Sequence, residues 1–324
     1  VSEPARFRRT PAATALSMVL LLSGCGLVSG DGDTGAAVQG TLTLGFVNGG
    51  TTKFHTCLEE SVEQATRSNF ARIRTANSHQ KAGTELTNID DMIAAKVSAL
   101  IVQTVDVKAL ADDIARARSA DIPIFLISVV PADTSHILGA VVVDLKKVGG
   151  LDADWIEQDA GGKDVQVGVV AGAPGAASDL LVGGFTAELP TSAKVVANQP
   201  GMFDPVKAGL VAEGMIEAHP DLDYAFVANE EMGFAVRKAF DTAGAKSVKI
   251  VTVNGTDEGL KALKDGRFAA TVSNSVADTG ELAVSNAIDL LRGRKAEKIA
   301  KTPAELITKD NADTAPLYCP PDLY

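Results

Sequence analysis

Short apolar runs alternate along most of the chain with stretches whose apolar positions recur every three or four residues. The runs 41–47, 71–77, 98–104 and 123–128 have strand character, and 54–68, 83–96 and 107–120 between them have helical spacing. Repeated strand–helix units with short connections predict a parallel sheet with right-handed crossovers. A run at 137–144 leads to a helix over 145–158, with Asp144 placed to cap its first turn. The alternation then restarts, with strands at 165–171, 193–199, 223–228, 247–253 and 268–274. Helices over 176–189, 205–219, 230–243 and 257–264 separate them. A helix over 276–292 and a short strand over 304–308 close the series. Two successive blocks of one kind, without a repeated sequence, predict an α/β protein with two doubly wound parallel-sheet lobes.

The sharpest change of period falls in LDYAFVANEEMGFAV (222–236). Tyr224 to Val227 suit a buried strand, Asn229 falls where that strand must stop, and Met232, Ala235 and Val236 take up helical spacing. Ligands of open α/β sheets collect at the carboxyl ends of strands, so Asn229 is a candidate contact. Composition agrees: 46% hydrophobic with only 5% aromatic residues suits sheets covered on both faces. The net charge of −11 argues against a nucleic-acid partner, which needs a basic surface.

The first residues read as an export address. Arg6, Arg8 and Arg9 precede an apolar stretch, 12–22, that is too short to span a bilayer as a helix. Leu22-Ser23-Gly24-Cys25 follows and resembles a bacterial lipobox, which predicts a signal peptide over 1–24 and lipidation of Cys25. The alternative is an ordinary secretory signal beside a chance cysteine. Residues 25–40 are Gly-rich and aperiodic, as expected of a flexible tether. Cys57 and Cys319 then remain, an even count that suggests one disulfide in an exported protein, against two separate thiols. Such a bridge would pin the tail, 311–324, to the first helix.

With this order of elements, the chain resembles the ribose/galactose type of periplasmic-binding protein, the solute-binding component of bacterial sugar ABC importers. The stretches that carry the resemblance are TELTNIDDMIAAKVSALIVQTVD (84–106), AHPDLDYAFVANEEMG (218–233) and VNGTDEGLKALKDGRFAATVSNS (253–275). ADIPIFLIS (120–128) and LITKDN (306–311) fit the same pattern, and the likeness spans about 41–310. It implies a type I binding-protein fold with a three-crossover hinge. The crossovers divide the chain into an amino lobe, 41–141 plus 277–301, and a carboxyl lobe, 142–276 plus 302–310. It also implies a small ligand held between the lobes, which stabilises their closed arrangement by touching both faces.

The resemblance further implies a site. Its contacts after the first strand fall on Thr51, Lys53 and Phe54, where Phe54 either offers a flat apolar face to a sugar ring or packs as a core staple. An acidic–basic pair usual after the fourth strand is replaced by Ser128-Val129. Asp179 stands where the family usually has an arginine, and Asn254 where it commonly has an aspartate, so the usual ribose clamps are altered. Asn229, Asn254 and Asn274 each follow a carboxyl-lobe strand, and an amide both donates and accepts. Phe203 in QPGMFDP matches a stacking aromatic. Lys53 and Asp179 are expected to face each other across the cleft, as a latch or as contacts to a charged ligand. Asn229→Ala and Phe203→Ala are expected to weaken ligand binding with little effect on the stability of the free protein.

Other chemistries lack their spacing. Gly49-Gly50-Thr51-Thr52-Lys53 does not fit a phosphate loop, and Gly172 and Gly175 do not fit a dinucleotide fingerprint. The four histidines are scattered without metal-ligand spacing, and there is no nucleophile elbow, so neither cofactor nor catalysis is expected. The leading expectation is a monomeric, lipid-anchored solute-binding protein on the outer face of the bacterial cytoplasmic membrane. It would deliver a sugar-like solute to an ABC permease with its ATPase. The alternative is a sensor lipoprotein of the same fold that signals through a receptor or histidine kinase. A sugar-responsive repressor core would need a helix-turn-helix where this chain has its export signal.

Overall fold

Strands β3 (Ala99–Gln103), β4 (Ile124–Ser128) and β8 (Tyr224–Val227) are buried along nearly their whole length, which is why they read as unbroken apolar runs rather than as alternation. They form the middle of two sheets in a computed structural model that describes residues 40–106 and 109–321, all within one unit, Ala36–Tyr324. The expected signal segment 1–24, Cys25 and the tether as far as residue 39 lie outside the described residues.

The first sheet also contains β1 (Thr43–Asn48), β2 (Arg72–Asn77), β5 (Gly139–Val143) and β11 (Ile299–Thr302), in the order β11-β5-β4-β3-β1-β2 and parallel throughout. Helices α1 (Lys53–Ser68), α2 (Ala82–Ala94), α3 (Leu110–Ser119) and α9 (Val276–Leu291) cover it. The second sheet has the order β12-β10-β9-β8-β6-β7. Its further strands are β6 (Val165–Ala171), β7 (Ala193–Pro200), β9 (Lys249–Asn254), β10 (Ala270–Ser273) and β12 (Glu305–Ile307). Its helices are α4 (Leu145–Ala160), α5 (Ala176–Glu188), α6 (Pro205–Ala218), α7 (Glu230–Thr242) and α8 (Asp257–Asp265). Among the described strands β12 alone runs antiparallel, because it arrives from the other lobe and meets β10 from the opposite end.

Among the described residues the chain passes between sheets three times: from β5 into α4, from β10 into α9, and from β11 into β12. This is the two-lobed, doubly wound fold with a three-crossover hinge. At the first passage Asp144 caps α4, accepting from the Lys147 N–H at 3.2 Å. α9 lies so close to α1 that a Cβ on Gly280 would fall 2.4 Å from Ser61 Oγ, and that hydroxyl donates to Ala277 O at 2.6 Å. β2, at a sheet edge, carries outward Arg72 and Arg74, which discourage pairing with another chain. In each sheet the order reverses beside the first strand, at β1/β3 and at β6/β8, and ligands of open α/β sheets bind at such points.

Candidate functional site

At the carboxyl end of β1, Asn48 is buried and donates through Nδ2 to His55 O at 2.9 Å and to Glu59 at 3.3 Å. Gly49 N–H donates to Gln103 Oε1 at the end of β3, at 3.0 Å. A Cβ on Gly49 would lie 2.2 Å from that same oxygen, so a larger residue there would push the Gln103 side chain away and disturb this bond. The turn leads to exposed Thr51 and Lys53 and half-buried Phe54, which packs against the amino-lobe core and meets His55 edge-on at 5.3 Å. Burial holds the His55 pKa down to about 4, so its ring is neutral and shares a hydrogen bond with Thr52 Oγ1 at 2.8 Å. Ser128 ends β4 half-buried, with a left-handed φ of 74°.

The carboxyl-lobe ends are more crowded. Gly172 follows β6 directly under Phe203, where a Cβ would fall 2.0 Å from the ring tip. The half-buried ring therefore lies over the end of that strand, on a backbone with φ 53°. Asp179 is exposed in the first turn of α5, where a negative charge suits the helix dipole. Asn229 is buried and caps α7, its Oδ1 accepting from Met232 N–H at 2.9 Å. Asn254 has a φ of 144° and donates from Nδ2 to the Tyr318 hydroxyl. Its carbonyl accepts at 3.4 Å from the backbone of Asn274, whose own Oδ1 is buried without a protein partner, as is Ser273 Oγ. Buried polar atoms of this kind call for a partner. Ser128, Phe203 and Asn254 all hold backbone conformations that side chains disfavour, and such conformations concentrate at functional sites.

The profile of the periplasmic binding protein domain family matches residues 44–295. The chain belongs to that family. The ribose import binding protein of Salmonella typhimurium is 30% identical over 232 residues, covering 71% of this chain and 77% of that protein. The xylitol-binding protein of Mycolicibacterium smegmatis is 27% identical over 310 residues, covering 94% and 86%. Among solved structures, the binding component of the arabinose ABC transporter of Shewanella sp. ANA-3, bound to arabinofuranose, superposes with a TM-score of 0.78. It is 26% identical and covers 84% of this chain and 93% of that one. These relatives make it a periplasmic binding protein of the ribose/galactose type, and they are sugar-binding transport proteins rather than enzymes.

In this periplasmic binding protein one carboxylate organises the carboxyl-lobe strand ends. Glu230, buried beside Asn229, accepts from Gly255 N–H and Thr256 N–H, both at 2.9 Å, from Thr256 Oγ1 at 2.5 Å and from Thr271 Oγ1 at 2.7 Å. It thereby ties the start of α7 to the turn after β9 and to β10, so the loops of Asn229 and Asn254 are held as one piece. Burial raises its pKa despite those four donors. The next residue, Glu231, reaches across to the other lobe and accepts from the Lys53 N–H at 3.2 Å.

That contact corrects the expected latch. Among the described residues Lys53 and Asp179 form no ion pair; the first turn of α1 meets Glu231 instead. Phe54 and Phe203 each pack against the core of their own lobe. Cys57 and Cys319 form a disulfide, with Cα atoms 5.0 Å apart. Sequence reasoning did not single out Glu230, Glu231, Gln103 or Tyr318. The paired glutamates directly after Asn229 were the visible signal, since acids in a helix's first turn are either dipole partners or reach a neighbouring loop.

Proposed function

We propose that this protein captures a neutral sugar or sugar-like solute between its lobes and delivers it to an ABC permease. Supporting the reading above all is the contact of Glu231 with Lys53, which joins the start of α1, after β1, to the first turn of α7, after β8. Thr51, Lys53, Phe54 and Ser128 would line one side, and Asp179, Phe203, Asn229, Asn254 and Asn274 the other. Amides donate and accept at once, as a ring of hydroxyls requires, and Phe203 supplies an apolar face for the C–H side of the solute. Ribose, xylitol and arabinofuranose, which the relatives' names give, are neutral polyhydroxyl compounds of this class. Ligand touching both lobes shifts the population toward the closed form. The lobes would comprise 41–141 plus 277–301 and 142–276 plus 302–310, and the protein would act as a monomer. Lipid on Cys25 would hold it at the outer face of the cytoplasmic membrane, and Cys25→Ala would then release it from the membrane fraction.

A thermal-shift screen of D-ribose, xylitol, L-arabinose, other sugars and polyols, and nucleosides tests the reading. A ligand that binds only the native state at 100 times its Kd adds about 2.7 kcal/mol and raises Tm clearly. A flat response across the neutral polyhydroxyl compounds would overturn it.

A further inference from the structure

The last described residues tie the two lobes together. Ala312 belongs to the carboxyl-lobe core, and Asp313 pairs with Lys264 on α8 at 2.5 Å. A few residues later the tail reaches the second crossover. Leu317 O accepts from Ser275 Oγ at 2.9 Å, and Tyr318 O accepts from Val276 N–H at 3.1 Å and Ala277 N–H at 3.0 Å. These bonds satisfy the first backbone donors of α9, which a helix start otherwise leaves free. The Tyr318 ring, 3% exposed, then joins the amino-lobe core, and Cys319 bonds to Cys57 on α1. From inside that core the hydroxyl reaches back to the carboxyl lobe and accepts from Asn254 Nδ2.

Asn254 is thus held at both ends. Its strained backbone is fixed through Glu230, which binds the next two N–H groups, and its amide nitrogen is fixed by the phenol. With one Nδ2 hydrogen on the phenol the amide plane is set, and Oδ1 is the acceptor left to meet a solute hydroxyl. The second Nδ2 hydrogen stays a donor, and no charge is brought into the cleft. Burial, reinforced by the nearby Glu230 and Glu231 carboxylates, raises the Tyr318 pKa, so the phenol stays protonated.

We propose that Tyr318 is a positioning residue of the ligand cleft: delivered by the disulfide-anchored tail, it orients Asn254 so that Oδ1 faces the solute. The Cys57–Cys319 bridge keeps it there, so ligand affinity depends on the bridge. The inference rests on Asn254 being a ligand contact, as the proposed function has it.

The test is a double-mutant cycle of Asn254→Ala and Tyr318→Phe, read by calorimetry with D-ribose, xylitol and L-arabinose. The Asn254 side-chain NH2 is followed by NMR in the free protein. Tyr318→Phe keeps the buried ring, and it should still shift the NH2 resonances and speed their solvent exchange. Each single variant should weaken binding about tenfold, and the double variant should be no weaker than Asn254→Ala alone. Reducing the bridge with a dithiol, which closes to its own disulfide as two protein thiols form, should weaken binding in the same sense; Cys319→Ser should match it. Wild-type affinity in Tyr318→Phe while Asn254→Ala binds weakly would overturn the positioning role and leave the site standing. Wild-type affinity in Asn254→Ala, or no binding of any of the three probes, would overturn the site and the positioning role with it.

Discussion

Asn229 has two tasks with two different atoms. Oδ1 accepts from Met232 N–H and caps α7, while among the described residues Nδ2 has no protein partner. The expectation that Asn229→Ala spares the free protein therefore changes: losing the cap costs about 1 kcal/mol. Asn229→Ser separates the tasks, because a serine hydroxyl still caps but cannot extend an amide donor. Chemical denaturation should place the Ser variant within about 0.5 kcal/mol of the parent and the Ala variant about 1 kcal/mol below it. Calorimetry should find both weakened toward the solute by about the same factor. A Ser variant with full affinity would show that Nδ2 does not touch ligand. At this scale the sequence was informative about position and silent about occupancy. A strand that ends in Asn before a helical period marks Asn229, yet a capping Asn and a ligand-binding Asn look alike until the acceptor's partner is seen. Asn254 was legible for the same reason, whereas its partner Tyr318 was not, being 64 positions away in an irregular tail.

Helices and strands were readable where burial imposes a period or an unbroken apolar run. The clearest miss is β11, Ile299–Thr302, a four-residue edge strand in a lysine-rich stretch with only Ala300 and Thr302 buried. It carries too few apolar positions to show a period, and what recruits it is the parallel pairing with β5. Helix contacts are likewise invisible in sequence, as the two adjacent glycines of α5 show. A Cβ on Gly184 would sit 2.1 Å from Lys146 O and 2.6 Å from Lys146 Cα on α4. No side-chain rotation relieves a collision with backbone, so Gly184→Ala must push α4 and α5 apart, at about 1–3 kcal/mol. A Cβ on Gly183 meets nothing within 4 Å, so Gly183→Ala should instead gain up to about 1 kcal/mol of helix propensity. Urea denaturation of the two single variants checks this, and equal shifts in either direction would contradict the close crossing of α4 and α5.

Across the whole molecule, the element that matters is one that exists only when the lobes meet. The hydrogen bond from Lys53 N–H to Glu231 joins residues 178 apart in sequence, one at the start of α1 and the other in the first turn of α7. Sequence reasoning chose Lys53 and Asp179 as the pair because it matched opposite charges, whereas the geometry uses a backbone donor that no side-chain pattern reveals. A carboxylate on the first turn of a helix is favoured by the dipole as well as by the hydrogen bond. Since the contact is solvent-exposed, it should contribute only about 0.5–1.5 kcal/mol to closure. A bond formed only in the closed arrangement adds to ligand affinity through that state's population, and its loss is felt mainly as faster release. Glu231→Ala should therefore raise the solute off-rate about two- to tenfold and weaken Kd by the same factor, with the free protein's Tm nearly unchanged. Lys53→Met keeps the main-chain donor and the aliphatic stem that would line the cleft and removes only the charge, so it should leave both rates close to the parent. Stopped-flow release and calorimetry on the two variants decide between a main-chain latch and a charge pair: if Lys53→Met loosens the complex as much as Glu231→Ala does, closure is held by the lysine's charge and not by the main-chain bond to Glu231.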